Sequence, residues 1–220
     1  MVRPAACLFD LDGLLLDTEP LHARAWSEAA AHFGRILAPA ELLALRGRRR
    51  LDCAAQVLAW IAADGGPRLS GDELLAVRQP IAEALLVQAP PMPGAPELVA
   101  RCAELAIPMA MATSSARQAV ALKAAAHPWL EPIRTRVHGD DPDLKAGKPA
   151  PDVFLLAAER LGVQPSHCWA FEDSLAGARS AVAAGCQVMV VLAADLHPQD
   201  YPPQARCLRS LRELPLDDLE

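Results

Sequence analysis

A doubly wound parallel α/β sheet carrying an inserted helical domain is the fold this sequence predicts, on three observations. An apolar run near the start stops at a pair of acids, in FDLDGLLLDT at 9–18. Residues 20–87 then carry helical periodicity with no strand pattern between the segments. From residue 94 helical and strand-like segments alternate, which is how a parallel sheet covered by helices on both faces reads.

Each element has a local reason. The first strand is short and apolar and opens at Asp10 into a loop that Gly13 lets turn sharply. A helix over 20–33 starts with Pro20 in its first turn and stops at Gly34. Helices at 39–46, 50–63 and 70–87 lie between the breaks at Gly47, the GGP at 65–67 and the APPMPGAP at 89–96. The alternating part gives helix 95–105, strand 107–113, helix 115–126, strand 133–138, helix 151–161, strand 167–172, helix 175–184 and strand 187–192. A proline-rich loop, a short edge strand at 205–208 and a weak helical end complete the chain. We therefore expect a sheet domain from 1–16 and 90–220 and a helical domain from 17–89, with hinges near 15–19 and 88–93.

Composition narrows the function classes. Of 220 residues 52% are hydrophobic but only 4% aromatic, so Leu, Ala and Val fill the core, which suits helices on a sheet. A net charge of −6 argues against general nucleic-acid binding, yet a small anion needs only a local positive site. The six cysteines are scattered without a CxxC pair, as buried thiols in a reducing compartment are. No run approaches membrane-spanning length, and the start leaves no room for a secretory segment. A cytoplasmic monomer without nucleic-acid or membrane partners is the expectation.

Polar residues gather where the strands end. Asp10 closes the first strand, Thr113 and Ser114 the second, and Glu172, Asp173 and Ser174 the fourth; in a parallel sheet these ends share one edge. Asp10 and Asp173 offer oxygens to a hard cation such as Mg²⁺, and Glu172 can add a ligand or hold a metal-bound water. Thr113 and the Ser114 amide suit a phosphate, and Lys148 in KAGKPAPD supplies a point charge for it. Adjacent carboxylates at Glu172 and Asp173 repel one another unless a cation or donors compensate. Asp10 and Asp12 are spaced to divide roles, one ionised, the other protonated as a general acid.

In this order FDLDGLLLDT, MATSS, Lys148 in GKPAPD and FEDSLAGARSAVAAG resemble the four motifs of the haloacid dehalogenase superfamily, in its helical-cap branch with the β-phosphoglucomutase and pseudouridine monophosphatase group. The resemblance spans almost the whole chain. It implies a Rossmann-like core of strand order 5-4-1-2-3 and an aspartyl phosphate formed on Asp10. Asp12 would protonate the leaving oxygen and then activate water, its pKa raised by burial or nearby negative charge. Thr113 and Lys148 would hold the phosphoryl group, and Mg²⁺ would sit on Asp10, the Asp12 carbonyl and Asp173 with Glu172 near. By the same resemblance His22 and Arg50 bind a sugar phosphate or gate the general acid.

Of Arg48, Arg49 and Arg50, which cannot share one helical face, one is expected to point at the cleft. DTE at 17–19 and HGDDPDLKAGKPAPD at 138–152 resemble the small-metabolite phosphatases, so the reading is a Mg²⁺-dependent phosphatase of a small phosphorylated metabolite, a sugar phosphate or a nucleoside or flavin monophosphate. A β-phosphoglucomutase-type mutase is the alternative. A non-catalytic phospho-acceptor of the receiver type is a different class, disfavoured by the inserted helices and by the acid two residues after Asp10.

Overall fold

The computed structural model describes residues 3–193 and 196–214. Six parallel strands form one sheet in the order β3-β2-β1-β4-β5-β6. The strands are β1 Ala6–Phe9, β2 Met109–Ala112, β3 Thr135–Val137, β4 Cys168–Glu172, β5 Gln187–Val191 and β6 Arg206–Leu208. The expected order is present, and the edge strand extends it past β5. The weak helical end is a single 3-10 turn, Leu211–Glu213, and the part of that expectation beyond 214 lies outside the described residues.

β1 is the middle of this sheet and all four of its residues are buried, as a strand covered on both faces must be. Alternation sends Cys7 and Phe9 to one side, with Met109, Met111, Trp169 and Phe171. Helix α5, Ala95–Glu104 in the chain, covers that side through Leu98, Val99 and Cys102. Phe9 stacks on Phe171 with centroids 4.9 Å apart, and cutting Phe9 back to Ala would cost about 3–5 kcal/mol. The other side presents small residues, Ala6, Ala110, Ala112 and Ala170, to the later helices α7 (Asp152–Leu161) and α8 (Leu175–Ala183).

Between β1 and α5 come α1 Glu19–His32, α2 Pro39–Leu45, α3 Arg50–Ala63 and α4 Gly71–Leu86. Pro20 and Gly34 punctuate α1 as expected. α4 starts on a capping box: Glu73 N–H donates to Ser70 Oγ at 3.2 Å and Ser70 N–H to Glu73 Oε2 at 2.8 Å. These helices bury a core of their own around Trp26, Leu45, Val57, Ile61 and Leu74. Their two connections to the sheet pair with each other: Asp17 N–H donates to Pro90 O at 2.8 Å and Met92 N–H to Leu15 O at 3.0 Å. Between β2 and β3 lies α6, Arg117–Ala124. Among the described residues no helix is long and apolar enough to cross a membrane.

Candidate active site

Strand register brings the acids together. Phe9 pairs with Phe171 on one side and Met111 on the other, so the next residues, Asp10, Glu172 and Ala112, fall level at the carboxyl edge. Thr113 follows immediately and is buried. The loop KAGKPAPD delivers Lys148 to the same edge, where its Nζ donates to Asp10 Oδ1 and to Glu172 Oε1, each at 2.5 Å.

This half of the site is buried. Asp10, Lys148, Glu172 and Asp173 are all less than 5% exposed. Glu172 is held by the fold itself: its Oε2 accepts from Asp173 N–H at 3.1 Å, Ser174 N–H at 3.3 Å and Ser174 Oγ at 3.1 Å. Ser174 also caps α8, accepting from Gly177 N–H at 3.0 Å. Burial pushes the Asp10 carboxyl up to about 7, against the pull of Lys148 and with help from Glu172 and Asp12. Burial, with Glu19, Glu172 and Asp10 nearby, pushes Asp173 well up too. For Lys148 burial works against the charge, but Asp10 and Glu172 outweigh it and hold the ammonium above its usual range.

Carboxylate oxygens of Asp10, Glu172 and Asp173 lie within 4.8 Å of one another, and Asp173 Oδ1 is buried without a hydrogen-bond partner. Three hard oxygen donors, one of them unpartnered, fit a divalent cation. Among the described residues that cluster does not include the Asp12 carboxylate. Gly13 makes room beside it: at φ +82°, a Cβ there would stand 2.2 Å from Asp173 Oδ2 and 2.8 Å from Glu19 Cγ.

Asp12 faces a different set of groups. Its Oδ1 accepts from Thr18 Oγ1 at 2.7 Å, His22 Nε2 at 3.1 Å and Lys123 Nζ at 2.5 Å. Its Oδ2 accepts from Ser115 Oγ at 2.6 Å and Lys123 Nζ at 2.6 Å. Arg78 Nη2 lies 2.9 Å from His22 Nδ1, and a guanidinium can only donate. Nδ1 is therefore the acceptor, and His22 turns an Nε2–H towards Asp12. Burial, Lys123 and Arg78 lower the His22 pKa against Asp12, in keeping with a neutral ring. Burial pushes Asp12 up, but Lys123 and His22 overcome it and hold the carboxyl well below its usual range. This corrects the expectation that its surroundings would favour the protonated form: the neighbours are donors and a cation.

The helical insertion roofs the site and leaves a cleft of about 540 Å³. Its walls combine apolar residues such as Leu42 and Leu86 with Arg46, Arg48, Arg50 and Gln79. Arg46 Nε pairs with Glu19 at 3.2 Å, and burial pushes Glu19 up to about 8 although Arg46 opposes it. Arg50 donates to Gln79 Oε1 at 3.0 Å, whereas Arg49 turns away to Asp52 at 3.3 Å. Two of the three consecutive arginines thus line the cleft, not one, because residues 47–49 form a turn before α3 and no helical face constrains them. Trp26 packs in the helical core and also lines the cleft, with the Arg78 guanidinium 4.5 Å above its ring. The insertion touches the sheet edge where Ser114 Oγ donates to Gly47 O at 2.8 Å.

All the residues singled out in the sequence, Asp10, Asp12, Gly13, His22, Arg50, Thr113, Ser114, Lys148, Glu172 and Asp173, lie at this carboxyl edge or in the cleft above it. Lys123, Thr18, Ser115 and Arg78 were missed as partners. Lys123 had a signal: it sits three residues after Val120 on the inward stripe of α6, where an apolar residue is the rule.

Residues 4–185 match the family model described as haloacid dehalogenase-like hydrolase. The chain is 37% identical over 190 residues to fructose-1-phosphate phosphatase YqaB of Escherichia coli (strain K12), covering 86% of this chain and 97% of that one. It is 36% identical to a probable pseudouridine-5'-phosphatase of Drosophila melanogaster, covering 84% and 80%. Among solved structures it is similar to a CbbY mutant from Rhodobacter sphaeroides in complex with xylulose-(1,5)bisphosphate, with TM-score 0.82, 28% identity and 96% of each chain covered.

Proposed function

The chain belongs to the haloacid dehalogenase-like hydrolase family and is one of its phosphoric monoester hydrolases, and we propose that it works through an aspartyl phosphate on Asp10 with Mg²⁺ bound beside it. One observation carries the reading: Asp10, Lys148, Glu172 and Asp173 meet in a buried pocket at the carboxyl edge, with Asp12 two residues away under separate control.

An Asp10 carboxylate oxygen attacks phosphorus and the ester P–O bond breaks. Asp12 gives its proton to the departing oxygen; water then attacks the phosphorus while Asp12 takes a proton from it, the bond from Asp10 oxygen to phosphorus breaks, and inorganic phosphate leaves with the Asp10 carboxylate restored. Because Asp12 rests as a carboxylate, it must gain that proton once substrate is bound, and the negative charge of a phosphate monoester favours the gain. Lys148 spends two of its three donors on Asp10 and Glu172, leaving one for a phosphoryl oxygen, and Thr113 offers a hydroxyl next to it. Asp10 and Asp173, with Glu172 near, would hold Mg²⁺, joined as the resemblance implies by the Asp12 carbonyl, and the ion would supply neutralising charge for the phosphoryl group.

Residues 17–89 act as a cap domain on the sheet domain of 1–16 and 90–220, and the cap reads the rest of the substrate. Arg48 and Arg50 beside apolar walls suit a small polar organic phosphate, a sugar phosphate or a nucleoside or flavin monophosphate. The test is phosphate release from a panel of these esters, with Mg²⁺ and with chelator, using Asp10→Asn as the blank. Release that needs both metal and Asp10 supports the reading. Conversion of β-glucose 1-phosphate to the 6-phosphate without net release would replace it by the mutase, and a stable phosphoprotein without turnover by a phospho-acceptor.

A further inference from the structure

We propose that Lys123 is a positioning residue for the leaving-group end of the reaction, fixing the Asp12 carboxyl from behind through α6. The inference rests on the reading of Asp12 as general acid and adds a residue to it.

Three observations support it. First, the Lys123 side chain is fully buried, its ammonium set between both Asp12 oxygens, at 2.5 and 2.6 Å, and Ser115 Oγ at 3.0 Å. An ammonium has three hydrogens, and these three acceptors use them all. Nothing is left for a substrate oxygen, so Lys123 acts through Asp12 and not on the ligand. Second, a buried lysine costs several kcal/mol unless fully compensated, so an apolar residue in its place would stabilise α6 packing more simply. Packing alone gives no reason for a charge there. Third, the other contacts to Asp12, from Thr18 and His22, come from the helical insertion and its connection, whereas Lys123 and Ser115 belong to the sheet domain. Should the insertion shift as substrate enters, Lys123 and Ser115 would still hold Asp12 at the sheet edge. An acid displaced by even about 1 Å from its proton acceptor loses on the order of 10²-fold in rate.

The experiment uses two esters on the full chain with Mg²⁺. One is whichever of fructose 1-phosphate, glycerol 3-phosphate and uridine 5'-monophosphate turns over best, whose alkoxide needs a proton to leave. The other is 4-nitrophenyl phosphate, whose phenolate leaves without one. Because kcat/KM covers steps only up to departure of the leaving group, the alkyl-to-aryl ratio of kcat/KM reads the general acid. Lys123→Met is expected to lower the alkyl value about 100-fold and the aryl value about tenfold or less. Lys123→Arg, which can still donate to both oxygens, should keep the ratio within about threefold of the parent. A ratio unchanged in Lys123→Met, or shifted towards the alkyl ester, overturns the inference.

Should Lys123→Met not fold, Ser115→Ala removes one oxygen of the same cluster and must lower the ratio in the same sense. An unchanged ratio there overturns the inference equally. Asp12→Asn separates the two failures. If it keeps alkyl turnover, the general-acid reading falls and takes the inference with it. If it destroys alkyl turnover while Lys123→Met leaves the ratio alone, only the inference falls.

Discussion

Asp10 and Asp12 stand two residues apart on one loop, each with a buried lysine 2.5 Å away, yet their carboxyls are driven in opposite directions. Burial raises the Asp10 pKa to about 7, because Lys148, which opposes it, is shared with Glu172, and Glu172 and Asp12 add to the rise. Asp12 has Lys123 to itself among carboxylates and three further donors besides, so its pKa falls well below the usual range. The two sites differ in what is missing. The Asp10 side has one ammonium for its three acids, and under the proposed function a divalent cation would supply the rest; the Asp12 side is satisfied and would have to be given a proton.

The largest effect should come from removing the Asp10 oxygen: Asp10→Asn is expected to lose about 10⁴-fold or more in phosphate release while the circular dichroism spectrum stays unchanged. Turnover within tenfold of the parent would end the distinction between the two sides. Asp12→Asn should lose roughly 10²- to 10⁴-fold on alkyl esters and keep its fold; near-normal phosphate release would remove its assigned role.

Metal binding sharpens the contrast further. With Asp10 raised to about 7 and Asp173 raised well, the metal-free acids carry protons that a cation must displace. Mg²⁺ affinity measured by calorimetry should therefore fall as pH drops below about 7, by about tenfold per unit for each proton displaced. Affinity that does not change between about pH 5 and 8 would show that these carboxyls are already ionised. The smallest effect is at the contact between insertion and sheet. Gly47 has φ +71°, and a Cβ there would meet Ser174 Oγ at 2.1 Å. Gly47→Ala should cost at least the roughly 1–2 kcal/mol of a left-handed backbone, with Ser174 forced to shift besides, read as a Tm lowered by several degrees or more.

Much of this was legible in the residues, for physical reasons that also mark the limit. The strands, the inserted helices and Asp10, Glu172 and Asp173 follow from period, from Gly and Pro punctuation and from acids closing apolar runs, whereas Lys148 stands out only through the resemblance of GKPAPD to a family motif. Helix 50–63 and the edge strand at 205–208 emerge close to where the pattern puts them. The proton affinity of Asp12 was not legible, because Lys123, 111 residues further on, decides it, and its place three residues after Val120 hints at burial without saying which acid it meets. The arginines misled for a related reason: helical geometry was applied to a turn that ends only at Arg50.

The most direct test of the account is to trap the intermediate. Enzyme mixed with Mg²⁺ and excess substrate is quenched and reduced with borohydride, which converts an aspartyl phosphate to homoserine, and the peptides are mapped by mass spectrometry. Homoserine at position 10, absent without substrate and absent in Asp10→Asn, is the predicted result. Homoserine at position 12, or an unmodified Asp10 in enzyme that is turning over substrate, would contradict it.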